Sequence, residues 1–201
     1  MDLTFEAWPK IARLNRDCII TEKIDGTNAA VIVSPLTETQ EWDGVGAPVT
    51  TDSGAFIVGA QSRTRLITPG DDNFGFAHWV HDNAEALASA LGSGRHFGEW
   101  WGQGIQRKYG LDHKRFSLFN VNRYADADLS SLPNVALVPT LYSGPFTTAV
   151  VDATVGWLRT QGSQAAPGFM KPEGVVVFHV AAQTVFKVTC EGDEAPKGAS
   201  R

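Results

Sequence analysis

The stretch Glu22-Lys23-Ile24-Asp25-Gly26-Thr27-Asn28 constrains this chain more than any other. One apolar run, Cys18-Ile19-Ile20, precedes it, and a second, Ala29-Ala30-Val31-Ile32-Val33, follows it. Two short apolar runs around a Gly-Thr turn read as two strands joined across Gly26. Lys23 then stands at a strand end with polar groups on both sides. A single K-x-D-G is on its own an ordinary charged β-turn, so the role of Lys23 depends on what the remaining chain supplies.

The background is that of a soluble globular protein. Over 201 residues, 43% are hydrophobic and 19% charged, enough for one sizeable core. No apolar run reaches the roughly 18 residues of a membrane span. The N-terminus, Met1-Asp2-Leu3-Thr4, is acidic and unlike a signal peptide. Cys18 and Cys190 make no disulfide framework and suit a reducing, cytoplasmic compartment, where both are expected as small buried hydrophobes near one another. A net charge of −5 excludes a protein whose whole surface binds nucleic acid. It leaves room for one basic groove, with Arg107-Lys108 and His113-Lys114-Arg115 around Tyr109 as the candidate and a solvated loop as the alternative.

Residues 1–16 read as a lead-in with Phe5 and Trp8 as packing anchors, and Pro9 rules out a continuous helix there. Residues 34–54 are polar and rich in Gly, Pro and Thr, a long excursion or hairpin loop. Phe56–Ala60 reads as a strand that delivers Gln61-Ser62-Arg63 at its end. Phe76, Trp79, Val80, Leu87 and Leu91 recur at helical spacing, with Asn73 as cap and Gly92 and Gly94 as stop. Strands are expected at Arg95–Trp101, Phe116–Val121 and Val135–Val138, a second helix at Thr147–Arg159, and a closing hairpin from Gly174–Val180 and Thr184–Thr189. The sum is an α+β fold of antiparallel sheets with flanking helices. It is expected as one domain over 1–190, followed by a charged tail at 191–201.

Six segments stand out in order: the Lys23 turn, Ser62-Arg63-Thr64-Arg65, Phe97-Gly98-Glu99-Trp100-Trp101-Gly102, Phe116-Ser117-Leu118-Phe119-Asn120, Pro172-Glu173-Gly174-Val175-Val176 and Phe186-Lys187-Val188-Thr189. Together they resemble the covalent nucleotidyltransferases, and within them the ATP-dependent RNA ligases of the double-strand-sealing branch, over roughly residues 18–190. The resemblance implies a ligase-type nucleotidyltransferase domain. In it a lysine attacks the α-phosphate of ATP, the AMP passes to a 5′-phosphate end, and a 3′-hydroxyl seals the strand. Only the free amine is nucleophilic, and an unperturbed lysine is neutral in about one molecule in 2,500 at pH 7. Nearby cations must therefore favour the amine, with Lys187 and a bound divalent metal as candidates. Asp25 would oppose them if its carboxylate faced Lys23, and its orientation is open.

By matched position, the resemblance makes Lys23 the nucleophile. It places Glu22 near the adenine edge, Arg63 on the ribose or phosphate, Glu99 on the ribose hydroxyls and Phe119 against the adenine. Asn28 would sit beside the phosphate, Glu173 would hold Mg2+ or Mn2+, and Lys187 would contact the α-phosphate. Each has a plainer alternative. Arg65 competes with Arg63, Phe116 and Phe119 could both be core, and Glu173 with Lys187 would pass as a hairpin ion pair. No histidine shows metal-ligand spacing.

Three departures from the family pattern matter. The last motif has Thr189 where a second lysine is usual, so either Lys187 suffices or Lys171 or Lys197 replaces the charge. Asn120 stands where an aspartate is usual. No OB or other C-terminal domain is expected after Thr189, which leaves a stand-alone adenylation domain and possible help from a separate protein. The implied partner is RNA in preference to DNA, as in RNA repair, with no membrane. A capping-type guanylyltransferase and a catalytically silent end-binding module are the alternative functions.

Overall fold

Period-two burial sorts the strands into two sheets whose inner faces make two cores. The computed structural model describes residues 3–37 and 44–191. In chain order it shows β1 (Asp17–Lys23), β2 (Thr27–Pro35), β3 (Ala47–Thr51), β4 (Gly54–Ser62) and β5 (Leu66–Ile67). Helices α1 (Phe76–Asp82) and α2 (Ala84–Leu91) follow, then β6 (Gly94–Gly102), β7 (Lys114–Leu118), β8 (Val135–Leu137) and β9 (Thr140–Pro145). Helix α3 (Thr148–Gln161) precedes the hairpin of β10 (Gly174–His179) and β11 (Thr184–Thr189). The smaller sheet runs β11-β10-β1-β9; the larger runs β3-β4-β2-β6-β7-β8, with β5 on β4.

Helices α1 and α2 cover the larger sheet. Ala29, Val31, Val33, Val58, Trp100 and Phe116 are buried against Phe76, Val80 and Leu87. Its centre is aromatic, with Phe76 and Phe116 ring centroids 5.1 Å apart and Trp79 and Trp100 5.2 Å apart. Each such buried side chain stabilises the fold by about 1.5–3 kcal/mol. Helix α3 alone covers the smaller sheet, where Cys18, Ile20, Val175 and Val177 pack on Val151, Val155 and Leu158, with half-buried Cys190 at the edge of the cluster. Thr147 caps α3 by accepting the Val150 N–H at 3.1 Å. The opposite faces of the two sheets look onto a shared cleft.

The α+β class and most strands match the sequence expectation, with informative exceptions. β1 and β2 do not form a hairpin: β1 pairs β9 and β10, while β2 pairs β4 and β6. The buried Ile24, packed in a third cluster with Trp101 and Tyr109, draws the turn inward between the sheets. The expected long helix breaks at Asn83, whose side-chain amide donates to the Trp79 carbonyl at 2.7 Å and competes with the backbone ladder. Asn73 does not cap it. The Asp72 carboxylate takes that role, accepting the N–H groups of Ala77 at 2.7 Å and His78 at 3.1 Å, while the Asn73 amide reaches Thr27.

Phe5 and Trp8 are not packing anchors, since they are 93% and 84% exposed and both cores are filled from other segments. The polar excursion contains β3, and its residues 38–43 lie outside the described ones. β9 was not anticipated, because Thr140–Pro145 carries Gly144 and little alternation. One pair, β7 with β8, is parallel. Residues 192–201, including Lys197, lie outside the described residues.

Candidate active site

Lys23 is the last residue of β1, and after only three connecting residues the chain enters the other sheet at Thr27. That crossing needs Gly26. A Cβ there would meet the Trp100 carbonyl oxygen at 2.5 Å and the Trp101 Cβ at 2.7 Å. The Gly26 N–H donates to Glu99 Oε1 at 3.0 Å, so the turn and β6 are locked together at the lysine. Opposite, Lys23 pairs in register with Gly174, which puts Glu173 beside it. Lys23 Nζ lies 2.6 Å from Glu173 Oε1, with both side chains partly shielded from solvent.

Lys23 and Glu99 thus line a cleft of about 650 Å³, with Glu173 held against Lys23. Burial pushes the Glu99 carboxyl up to about 7; Lys23 and the Gly26 N–H pull it down, and Glu173 and Asp25 add to the rise. Along β6, period two turns Arg95, Phe97 and Glu99 to the cleft and His96 and Trp100 to the core. Phe97 and Phe119, 44% and 39% exposed, stand side by side on this wall, linked by the Phe119 N–H to the Phe97 carbonyl. The facing wall is Ile19, Val176, Phe178 and Val185 of the smaller sheet. The result is an apolar slot leading to a charged end, the shape of a site for a planar base with a phosphate attached.

The other matched residues distribute as follows. Lys187 stands opposite Val176 in register, two residues from Val185, and so on the cleft side of β11. Asn28 pairs with Glu99 across β2 and β6. Arg63 follows the Ser62–Ala29 pair at the end of that ladder. Arg65 is committed elsewhere, to a bidentate pair with Asp71 at 2.5 and 3.0 Å. Phe116 is core and Phe119 faces the cleft.

Glu22 is the exception. Its side chain is 1% exposed and accepts the Ser163 hydroxyl at 2.5 Å and the Gln164 and Ala165 N–H groups at 2.7 and 2.9 Å. Burial raises its carboxyl despite these three donors. Its carboxylate holds the loop after α3, and the residue also borders the cleft.

Three residues of the expected basic groove are engaged in contacts within the chain. Arg107 Nε donates to Asp25 Oδ2 at 3.0 Å, Arg115 donates to the Ala165 carbonyl and lies over the Trp101 ring, and Lys114 reaches the Phe74 carbonyl. Asp25 is therefore turned onto Arg107, which resolves its open orientation. The sequence marks Arg107 and Tyr109 as a nucleic-acid patch; their contact with Asp25, beside the nucleophile candidate, has no signal in it.

Among the described residues no cluster of three or more His, Cys, Asp or Glu can hold a metal with protein ligands alone. Glu173 still fits one. Its Oε2 is buried with no hydrogen-bond partner, an arrangement that a bound cation satisfies. Mg2+ and Mn2+ are commonly held by one or two carboxylates together with substrate phosphates.

The fold has solved relatives. A lysine-to-alanine variant of Naegleria gruberi RNA ligase with ATP and Mn superposes with a TM-score of 0.56 at 17% identity, covering 88% of this chain and 50% of that one. A glutamate-to-alanine variant of the same enzyme with AMP and Mn gives 0.54 at 17% identity, covering 89% and 51%. This chain thus spans about half the length of those ligases. No curated protein matches its sequence. The RNA ligase family model, however, matches residues 16–189, from the start of β1 to the end of β11, and the chain belongs to the RNA ligase family.

Proposed function

We propose that this chain is an ATP-dependent polynucleotide ligase that adenylates itself on Lys23 and acts on RNA ends. One observation carries the reading: in a chain of this family, Lys23 at the cleft's charged end contacts a carboxylate whose second oxygen is buried and unpartnered. The adenine would enter the slot between Phe97 and Phe119 on one side and Val176 and Phe178 on the other. Glu99, half-protonated near neutrality, would meet the ribose hydroxyls, with Asn28 beside it. Arg63 and Lys187 would face the phosphates. Glu22 would contribute its backbone to the adenine edge.

Lys23 Nζ attacks the α-phosphorus, forming a P–N bond as the α–β bridging P–O bond breaks and pyrophosphate leaves. The amine proton goes to Glu173 Oε1, already at hydrogen-bond distance. Glu173 would also hold the divalent ion, which when bound supplies positive charge against the phosphates. A 5′-phosphate oxygen then attacks the same phosphorus and the P–N bond breaks, returning Lys23. Finally a 3′-hydroxyl attacks the 5′-phosphorus, AMP leaves, and the phosphodiester is closed. We place the protein in the cytoplasm, with residues 1–190 as the adenylation domain.

The test is labelling with α-labelled ATP and Mg2+ or Mn2+. Label should remain on the protein after denaturation and in alkali, be lost on warming in acid as a P–N bond requires, be absent with γ-labelled ATP, and vanish in Lys23→Ala. No label with ATP, GTP or NAD overturns the enzyme reading, and preference for GTP turns it into a capping-type enzyme. Nicked RNA and DNA duplexes then report which strand is sealed.

A further inference from the structure

One loop holds the turn that follows Lys23. It runs from Gln103 to Leu111 after β6. Gln106, Lys108 and Tyr109 all have positive φ, at 43°, 60° and 51°, and Gly104 and Gly110 share that sign. Three non-glycine residues in this region within four positions are held there by their surroundings. Tyr109 is 3% exposed, edge-on to Trp101 and against Phe169, and its hydroxyl accepts the Asp25 N–H at 2.7 Å. Arg107 reaches the same residue from the other side, donating to the Asp25 carboxylate at 3.0 Å. The same guanidinium donates to the Lys171 carbonyl at 3.3 Å and to Glu191 at 3.2 Å.

These partners share one property. Asp25 lies two residues after Lys23, and Lys171 two residues before Glu173. Glu191 follows Cys190, whose N–H donates to the Glu173 carbonyl at 2.8 Å. We propose that Arg107 and Tyr109 are positioning residues that clamp Asp25 and, through Arg107, tie the Lys23 turn to both segments flanking Glu173. The clamp keeps the Asp25 carboxylate off Lys23 and sets where Nζ stands relative to Glu173. It touches neither substrate nor metal. The inference rests on the ligase reading, since it assigns these residues to the lysine-adenylation step.

A misplacement of about 1 Å at a reacting group can cost on the order of 10²-fold in rate. Single-turnover labelling of the full chain with α-labelled ATP and Mg2+ should therefore fall by about that factor in Arg107→Ala, with the ATP concentration at half-maximal rate little changed. Arg107→Lys, which keeps the charge and loses the fork, should fall between. Asp25→Asn should slow the step, and Arg107→Ala with Asp25→Asn should be no slower than the worse single variant, because both break one contact. Tyr109→Phe, which removes only the hydroxyl, should slow labelling at temperatures where circular dichroism shows the chain folded.

Multiplying effects of R107A and D25N, or Y109F and R107K that label like the wild type, would overturn the clamp. If R107A does not fold, Y109F and R107K alone decide. An unlabelled wild type removes the ligase reading and this inference with it, and that outcome is distinct from a labelled wild type beside equally labelled variants.

Discussion

The two walls of the cleft are built differently. The larger sheet rests on two helices and an aromatic centre, and it presents Phe97, Phe119 and Glu99. The smaller sheet rests on α3 alone, ends in β11 with Val185 63% and Phe186 54% exposed, and carries Lys23 and Lys187, with Glu173 just ahead of β10. Under the proposed reading, most of the base-binding surface falls on the well-buried wall and the bond-making groups on the more lightly packed one. Sites need rigid support where geometry selects a ligand, and regions with few buried contacts are where motion is easiest.

That division predicts which kinetic parameter each wall controls. Glu173→Gln should cut the labelling rate at saturating ATP by about 10²–10⁴-fold, the usual worth of a positioned proton acceptor, with a small change in the ATP requirement. Phe119→Ala on the other wall should do the reverse. Loss of about 1–3 kcal/mol of base stacking raises the ATP concentration needed and leaves the saturated rate nearly intact. If the two variants exchange signatures in rapid-quench assays, the division is wrong.

Glu99 tests the seam between the walls through stability. Its carboxyl titrates near 7 in the folded chain against an ordinary 4.5, so between those values the unfolded chain binds fewer protons than the folded one. Stability should therefore fall as pH rises from about 4.5 to about 7 and level off above. Glu99→Gln keeps an acceptor for Gly26 and should flatten that slope, gaining on the wild type by on the order of 1–3 kcal/mol at pH 8 relative to pH 4.5 in urea unfolding. The smallest effect belongs to Arg65→Ala, outside the cleft. Its exposed pair with Asp71 should contribute less than about 1 kcal/mol, vanish in high salt, and leave labelling unchanged.

Much of this was legible because strands announce themselves by period two. The alternation Arg95, Phe97, Glu99 against His96, Trp100 already assigns β6 its two faces. The same rule applied to Glu22 sets its side chain on the opposite face of β1 from Lys23. What stayed illegible is long-range and side-chain specific. Arg107 meets Asp25 across 82 positions, and Glu22 meets Ser163 across 141, with no local pattern marking either pair. Nor does any periodicity tell that two adjacent apolar runs will enter different sheets. Their separation is set by Ile24 finding Trp101 and by the space that Gly26 leaves for β6.

The passage of the chain between the sheets has a mechanical consequence. Ile24, Asp25 and Gly26 are all the length available to span from one wall to the other, and two of the three are anchored by hydrogen bonds to other segments. Such a tether has no slack. Any widening or narrowing of the cleft when a nucleotide enters must pull on Lys23 itself, so the tether would act as a lever whose short arm ends at Nζ. Lengthening it by a single inserted residue would disconnect occupancy of the slot from the stance of the lysine while leaving both sheets intact.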